Sequence, residues 1–175
     1  MQDLRYPIGK FQAPAAINKL DISIAIKEIE KFPTQLSNLV GDWEDSRLDT
    51  PYRPGGWTVR QLVHHIAESH MNSYVRFKWT LTEKTPTIKA YDEKSWCALE
   101  DNKTAQISFS LDMLTALHGK WVFLMRKMAA NDWEKSFVHP ESGDLVKLSR
   151  NALLYAWHGK HHFAHIDQLR LRNSW

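Results

Sequence analysis

One cysteine, Cys97, stands in 175 residues. An intramolecular disulfide is therefore excluded, and the chain suits a reducing compartment, so a cytoplasmic location is expected. No apolar run approaches the roughly 20 residues that span a bilayer, and no membrane partner is expected. The opening MQDLRYPIGKF has none of the apolar core of a secretory signal. Basic blocks are missing as well: 23 Lys and Arg stand scattered against 20 Asp and Glu, a formal net charge of +3. Neutralising a phosphate backbone needs a concentrated basic face, so nucleic acid is not an expected partner. No internal repeat, low-complexity tract or Ser/Gly-rich linker divides the chain, and residues 1–175 read as a single domain. What the sequence does hold is 43% apolar residues, enough for a core without staples, together with eight tryptophans and nine histidines. The tryptophans read as core or as a partner surface. The histidines are where chemistry is expected.

Residues 1–16 carry Pro7, Gly9 and Pro14 without periodicity and predict an extended arm. From about 17 to 40, Ile22, Ile26, Ile29, Leu36 and Val40 recur at helical spacing. Pro33 interrupts them, implying a kink or two short helices meeting at Phe32–Pro33. Residues 45–57 read as loop from their Pro and Gly content. A second helix is predicted from Thr58, a plausible N-cap, to about Glu83, on the stripe Val59, Leu62, Val63, Ile66, His70, Tyr74, Phe77 and Leu81. Residues 84–107 form a long connection with a short helical turn near 92–99. A third helix spans about 108–129 with Leu111, Leu114, His118, Trp121, Met125 and Met128 on one face. Two extended stretches around Pro-Glu-Ser-Gly-Asp follow, and the last helix opens at Ser149 as N-cap and runs to about Arg172. The fold class is all-α: a four-helix bundle with a long crossover and a small β-hairpin before the last helix.

The last helix reads LLYAWHGKHHFAHIDQLRLRN. At about 100° per residue, His158, His161, His162 and His165 fall on the arc that also holds Leu154 and Leu169. Four neutral imidazoles facing a bundle interior are costly unless each has a partner, and protonating them there costs more. A divalent ion meets both difficulties by binding the neutral nitrogens. His158/His162 and His161/His165 both have the i, i+4 spacing that stacks ligands one turn apart. A third ligand is expected from HHIAESH in the second helix, where periodicity slightly favours His70 over His65 and leaves the choice open. His118 and His70 also read as hydrogen-bonded core residues, and His139 as a turn residue. Glu68 and Asp167 project off the apolar faces and read as solvated carboxylates, so no general base is assigned. His161 and His165 are expected to orient ligands or handle protons.

The stretches LDTPYRPGGWTVRQLVHHIAESHMNSYVRFKWTLTE, TPTIKAYDEKSW and LYAWHGKHHFAHI resemble the DinB-like superfamily, and within it the YfiT-like metal-dependent hydrolases, relatives of the bacillithiol S-transferases. The resemblance runs from YPIG, residues 6–9, through the last helix. It implies an up-down-down-up four-helix bundle, a homodimer, and one Zn or Ni ion per chain held by three histidines. Carried over, the second His of HHIAESH is His65, and the first and third of HGKHH are His158 and His162. Gly159 and Lys160 stand where relatives often carry other small or polar residues, with no effect expected on the ligands.

Three neutral imidazoles leave the ion its full charge and an open position. Such an ion can supply hydroxide to a small substrate, the activity of a hydrolase. The same position can bind and deprotonate a low-molecular-weight thiol such as bacillithiol for attack on an electrophile, the activity of an S-transferase. A catalytically silent dimeric metal-binding stress module is the third reading.

Overall fold

The computed structural model describes residues 3–175. Four long helices, α1 (Lys19–Val40), α3 (Val59–Thr82), α6 (Ile107–Lys127) and α7 (Leu148–Arg172), form the bundle. Short helices α2 (Asp45–Leu48), α4 (Glu93–Cys97) and α5 (Glu100–Thr104), a 3-10 turn (Ala130–Glu134) and the strands β1 (Ser136–Val138) and β2 (Leu145–Lys147) lie between them.

The helix starts follow from local chemistry. Asn18 opens α1 with a capping box, accepting from Leu20 and Asp21 N–H while the Asp21 carboxylate accepts from Asn18 N–H. Thr58 and Gln61 form the same box on α3, as the sequence predicts for Thr58. The expected cap of the last helix is displaced: Lys147 is the flanking residue, and Ser149 is buried one position inside α7. Strand pairing explains this, because β2 runs directly into α7 and Lys135 carbonyl accepts from Leu148 N–H.

Three other readings are refined. Pro33 neither breaks nor splits α1, which is one helix of 22 residues. Its cost is local: proline has no N–H to give the carbonyl of Ile29 one turn back. Within 45–57, read as loop, a helical turn forms because the buried Arg60 guanidinium bonds Asp45 at 2.5 Å and Asp49 at 2.7 Å. The connection after α3 holds two short helices, α4 and α5, rather than one turn.

Two apolar clusters set the direction of every long helix. In one, Phe32, Leu36 and Val40 from the end of α1 meet Val59–Ala67 of α3, Ile107–Leu114 of α6 and Ile166 and Leu169 of α7. In the other, Ala25 and Ile29 meet Phe77, Trp121, Met125, Leu148, Ala152 and Tyr155. Thus α1 and α7 run one way, α3 and α6 the other: up-down-down-up. The neighbours are α1 with α6 and α7, and α3 with α6 and α7. Parallel neighbours α3 and α6 need the long crossover of residues 83–106, which packs back onto α3. There Gln61 donates to Cys97 carbonyl (2.8 Å), Arg60 to Ala105 carbonyl (3.1 Å) and Asn102 to Glu68 (2.8 Å). The hairpin pairs Phe137 with Val146, turns through Gly143 at φ 71°, and delivers Phe137 to the second cluster.

Replacing Leu36 by Ala removes a side chain with no exposed surface and should cost about 2–5 kcal/mol in urea unfolding. Leu20→Ala, on the same helix but 67% exposed, should change stability by less than about 0.5 kcal/mol. Equal losses at the two positions would contradict this placement of the core.

Candidate metal centre

Between the two apolar clusters lies a layer of imidazoles. It draws His65 and His70 from α3, His118 from α6, and His158, His161, His162 and His165 from α7. The i, i+4 spacing stacks His158 and His162 with ring centroids 4.4 Å apart and Nε2 atoms 3.1 Å apart. The antiparallel pairing of α3 with α7 brings His65 against both, at centroid distances of 5.5 and 5.1 Å. One nitrogen from each of His65, His158 and His162 then lies within 4.8 Å of the other two. Two nitrogens bound at 2.0–2.1 Å to a tetrahedral ion sit about 3.3 Å apart, close to the His158–His162 separation. Among the described residues, the buried Nδ1 atoms of His65 and His162, like those of His161 and His165, have no hydrogen-bond partner. The donor set is soft enough for Zn or Ni, and neutral, which fits a divalent ion.

A second group, His161, His162 and His165, also offers three nitrogens within 4.8 Å of one another, all from one face of α7. His165 Nε2 donates to Arg5 carbonyl (3.3 Å) and its ring stacks on Tyr52 at 4.3 Å. His161 stacks on Trp157 at 4.5 Å and meets Tyr6 of the N-terminal arm at 6.0 Å. The arm predicted as extended thus lies along α7 beside the centre. Neither His161 nor His165 hydrogen-bonds to His65, His158 or His162 among the described residues. The ring that does so is His70, which the periodicity offered as a ligand or a core residue: its Nε2 is 3.2 Å from His158 Nδ1. Behind it, His70 Nδ1 is 2.8 Å from His118 Nε2. Only the meeting of three helices shows this contact, since His70 and His118 are 48 positions apart.

His64, off the apolar stripe, is nonetheless buried, with Nδ1 2.7 Å from Ser110 Oγ and Nε2 3.2 Å from Ala105 carbonyl. It anchors the crossover to α6. Glu68 departs from its reading as a solvated carboxylate. It is half-buried, holds Asn102, leaves Oε2 without a partner, and burial raises its pKa. Asp167 pairs with Arg170 at 2.8 Å on the α7 surface. His139 sits in the hairpin turn, its N–H donating to Asp144 carbonyl. Gly159 is constrained by packing: a Cβ there would lie 3.0 Å from Phe32 Cδ2.

Burial sets the protonation of the layer. It lowers His65, His118, His161 and His165 to about 4, the Ile29 carbonyl bond partly opposing the fall at His118. His70, His158 and His162 go well below the ordinary value, through burial first and neighbouring imidazoles second. No carboxylate pairs with these rings among the described residues. The layer is neutral at pH 7.

Because these folded-state values lie below 6.5, the unfolded chain binds more protons than the folded one in acid. The stabilising effect of neutral burial is complete above pH 6.5 and is lost as pH falls from 6.5 towards 4. The thermal midpoint of metal-free protein should therefore drop steadily across that window. A midpoint equal at pH 7.5 and 4.5 would contradict the neutral layer.

The comparisons with known proteins agree with this architecture. The family model of the DinB superfamily matches residues 28–166. Proteins of Bacillus cereus and Bacillus mycoides, provisionally named metal-dependent hydrolases, are each 52% identical over 175 residues, the whole of both chains. A Bacillus anthracis protein of the same designation is 51% identical over the same length. The solved structure of YfiT from Bacillus subtilis, described as a probable metal-dependent hydrolase with an unusual four-helix bundle topology, has 48% identity. It superposes with a TM-score of 0.96 over 98% of each chain. A further solved four-helix bundle, 18% identical with a TM-score of 0.56, shares the fold alone. On its helix order, its histidine layer and these matches, the chain belongs to the DinB superfamily.

Proposed function

We propose that this chain is a metal-dependent hydrolase holding one divalent ion, Zn or Ni, on His65, His158 and His162. The observation that carries the reading is the convergence of three neutral imidazole nitrogens, from two helices, within 4.8 Å. The relatives' designation as metal-dependent hydrolases supports it. His65 is preferred to His161 and His165 because it completes the His158/His162 pair from a second helix.

When bound, a divalent ion on three imidazoles supplies Lewis acidity and an open coordination position that lowers the pKa of bound water. The protein's own part is to hold the three rings neutral and fixed. Trp57 packs on His65 at 4.8 Å and Tyr155 on His158 at 5.4 Å, so the ligand rings are walled by aromatic faces. The buried, uncharged rings around the three ligands would leave the charge of a bound ion uncompensated. A low-molecular-weight thiol would take the same open position, and S-transfer is the reading that competes with hydrolysis.

Tag-free protein purified without added metal should contain about one Zn or Ni per chain by elemental analysis, and the folded His162→Ala variant should contain almost none. The loaded protein should cleave members of a panel of esters and amides, and the variant should lose that turnover by at least 100-fold. Metal content unchanged in His162→Ala would overturn the ligand assignment. Consumption of thiol with monochlorobimane, and no cleavage across the panel, would replace hydrolase by S-transferase. Metal without either turnover would leave a silent binding module.

A further inference from the structure

The row of rings behind His158 has a direction. The Ile29 carbonyl, deprived of its helical donor by Pro33, lies 2.6 Å from His118 Nδ1. A carbonyl only accepts, so His118 must donate from Nδ1 and keep a lone pair on Nε2. That lone pair faces His70 Nδ1 at 2.8 Å, so His70 donates there and keeps its lone pair on Nε2. That one in turn faces His158 Nδ1 at 3.2 Å. His158 donates from Nδ1 and is left with its Nε2 lone pair on the side of His65 and His162.

We propose that Pro33, by freeing the Ile29 carbonyl, sets the tautomers of His118, His70 and His158 in series and so presents His158 Nε2 to the metal, which makes His70 and His118 positioning residues of the centre. The proposal rests on the metal reading above for its last link, and on hydrogen-bond geometry alone for the others. Reversing any one bond would face two lone pairs or two protons across it. Charging a ring would place a cation with no carboxylate beside it.

Packing keeps the row from turning. Phe32, the residue before Pro33, stacks on His70 and His118 at 5.6 and 5.9 Å, and the two imidazoles lie within 12° of parallel. Trp121 and Tyr155 close the sides edge-on, at 6.2 and 5.1 Å from His70. Gly159 lets Phe32 approach this closely. Phe32–Pro33 of α1 therefore frees the acceptor that starts the series, the Ile29 carbonyl, and supplies the ring that stacks on His70 and His118.

The series also states what His162 must do. Its Nε2 lies 3.1 Å from the His158 lone pair and so carries a proton in this arrangement. A shared ion needs both Nε2 lone pairs. On binding an ion there, His162 would move its proton from Nε2 to Nδ1, a buried atom without a partner among the described residues, and would stay neutral. No proton is gained or lost by the ring, and the other three tautomers do not change.

Long-range 15N–1H correlation spectra of histidine-labelled protein, metal-free and zinc-loaded, read this directly. His118, His70 and His158 should show Nδ1–H in both states, and His162 should change from Nε2–H to Nδ1–H on adding zinc. An Nε2–H tautomer at His118 or His70 in the metal-free protein would overturn the proposal. Zinc affinity should fall 10- to 100-fold in His118→Leu and largely return in His118→Gln, whose amide can both donate and accept. Wild-type affinity in a folded His118→Leu would also overturn it. Should that variant not fold, the wild-type spectra decide. A wild-type chain that takes up no zinc would remove the metal reading, and the metal-free spectra would still uphold or overturn the series.

Discussion

Seven imidazoles share one layer of this bundle without a carboxylate among the described residues to pair them, and that constraint organises what surrounds it. A buried imidazole must stay neutral and must still place two nitrogens. The protein meets the demand with unlike solutions: a backbone carbonyl for His118, other rings for His70 and His158, the N-terminal arm for His165. The nitrogens left over gather where a divalent ion would use them. Neutrality and a surplus of lone pairs are two consequences of the same burial.

The topology makes the layer possible. Antiparallel α3 and α7 bring His65 to the His158/His162 pair, and parallel α3 and α6 bring His70 level with His118. A bundle of four consecutive antiparallel neighbours could not give α3 a parallel partner, so the 24-residue span from 83 to 106 is a structural requirement of the histidine row. The apolar clusters above and below the layer supply the rigidity that keeps the nitrogen–nitrogen distances along the row near 3 Å. Pro33 joins the two levels of organisation. It is tolerated inside α1, and the hydrogen bond it removes from the helix reappears as a contact to α6.

The sequence made the four long helices legible because their apolar residues repeat at three and four positions over more than twenty residues. Thr58 showed its cap for the same kind of reason, since a capping box is local. The cap at Ser149 was misplaced because β-pairing, a longer-range interaction, feeds the chain into α7 two residues earlier. The turn at 45–48 was hidden because Arg60, eleven and fifteen residues away from its carboxylate partners, supplies the fixing charge. Glu68 was read as solvated because the wheel shows only its own helix, whereas Asn102 of the crossover covers it.

By itself the sequence determined the four long helices, the hairpin, the histidine-rich face of the last helix and the exclusion of an intramolecular disulfide, all of which depend on residue type and near-neighbour spacing. The resemblance to a known family pointed to His65 where the wheel leaned to His70. What only the tertiary structure decided is which nitrogens meet: that His65 closes on His158 and His162, and that His70 joins His158 to His118, whose Nδ1 in turn meets the Ile29 carbonyl. Periodicity sorts side chains onto faces of one helix at a time. A hydrogen bond or a ligand set is a relation among several helices to within a few tenths of an ångström, and only their packing fixes it.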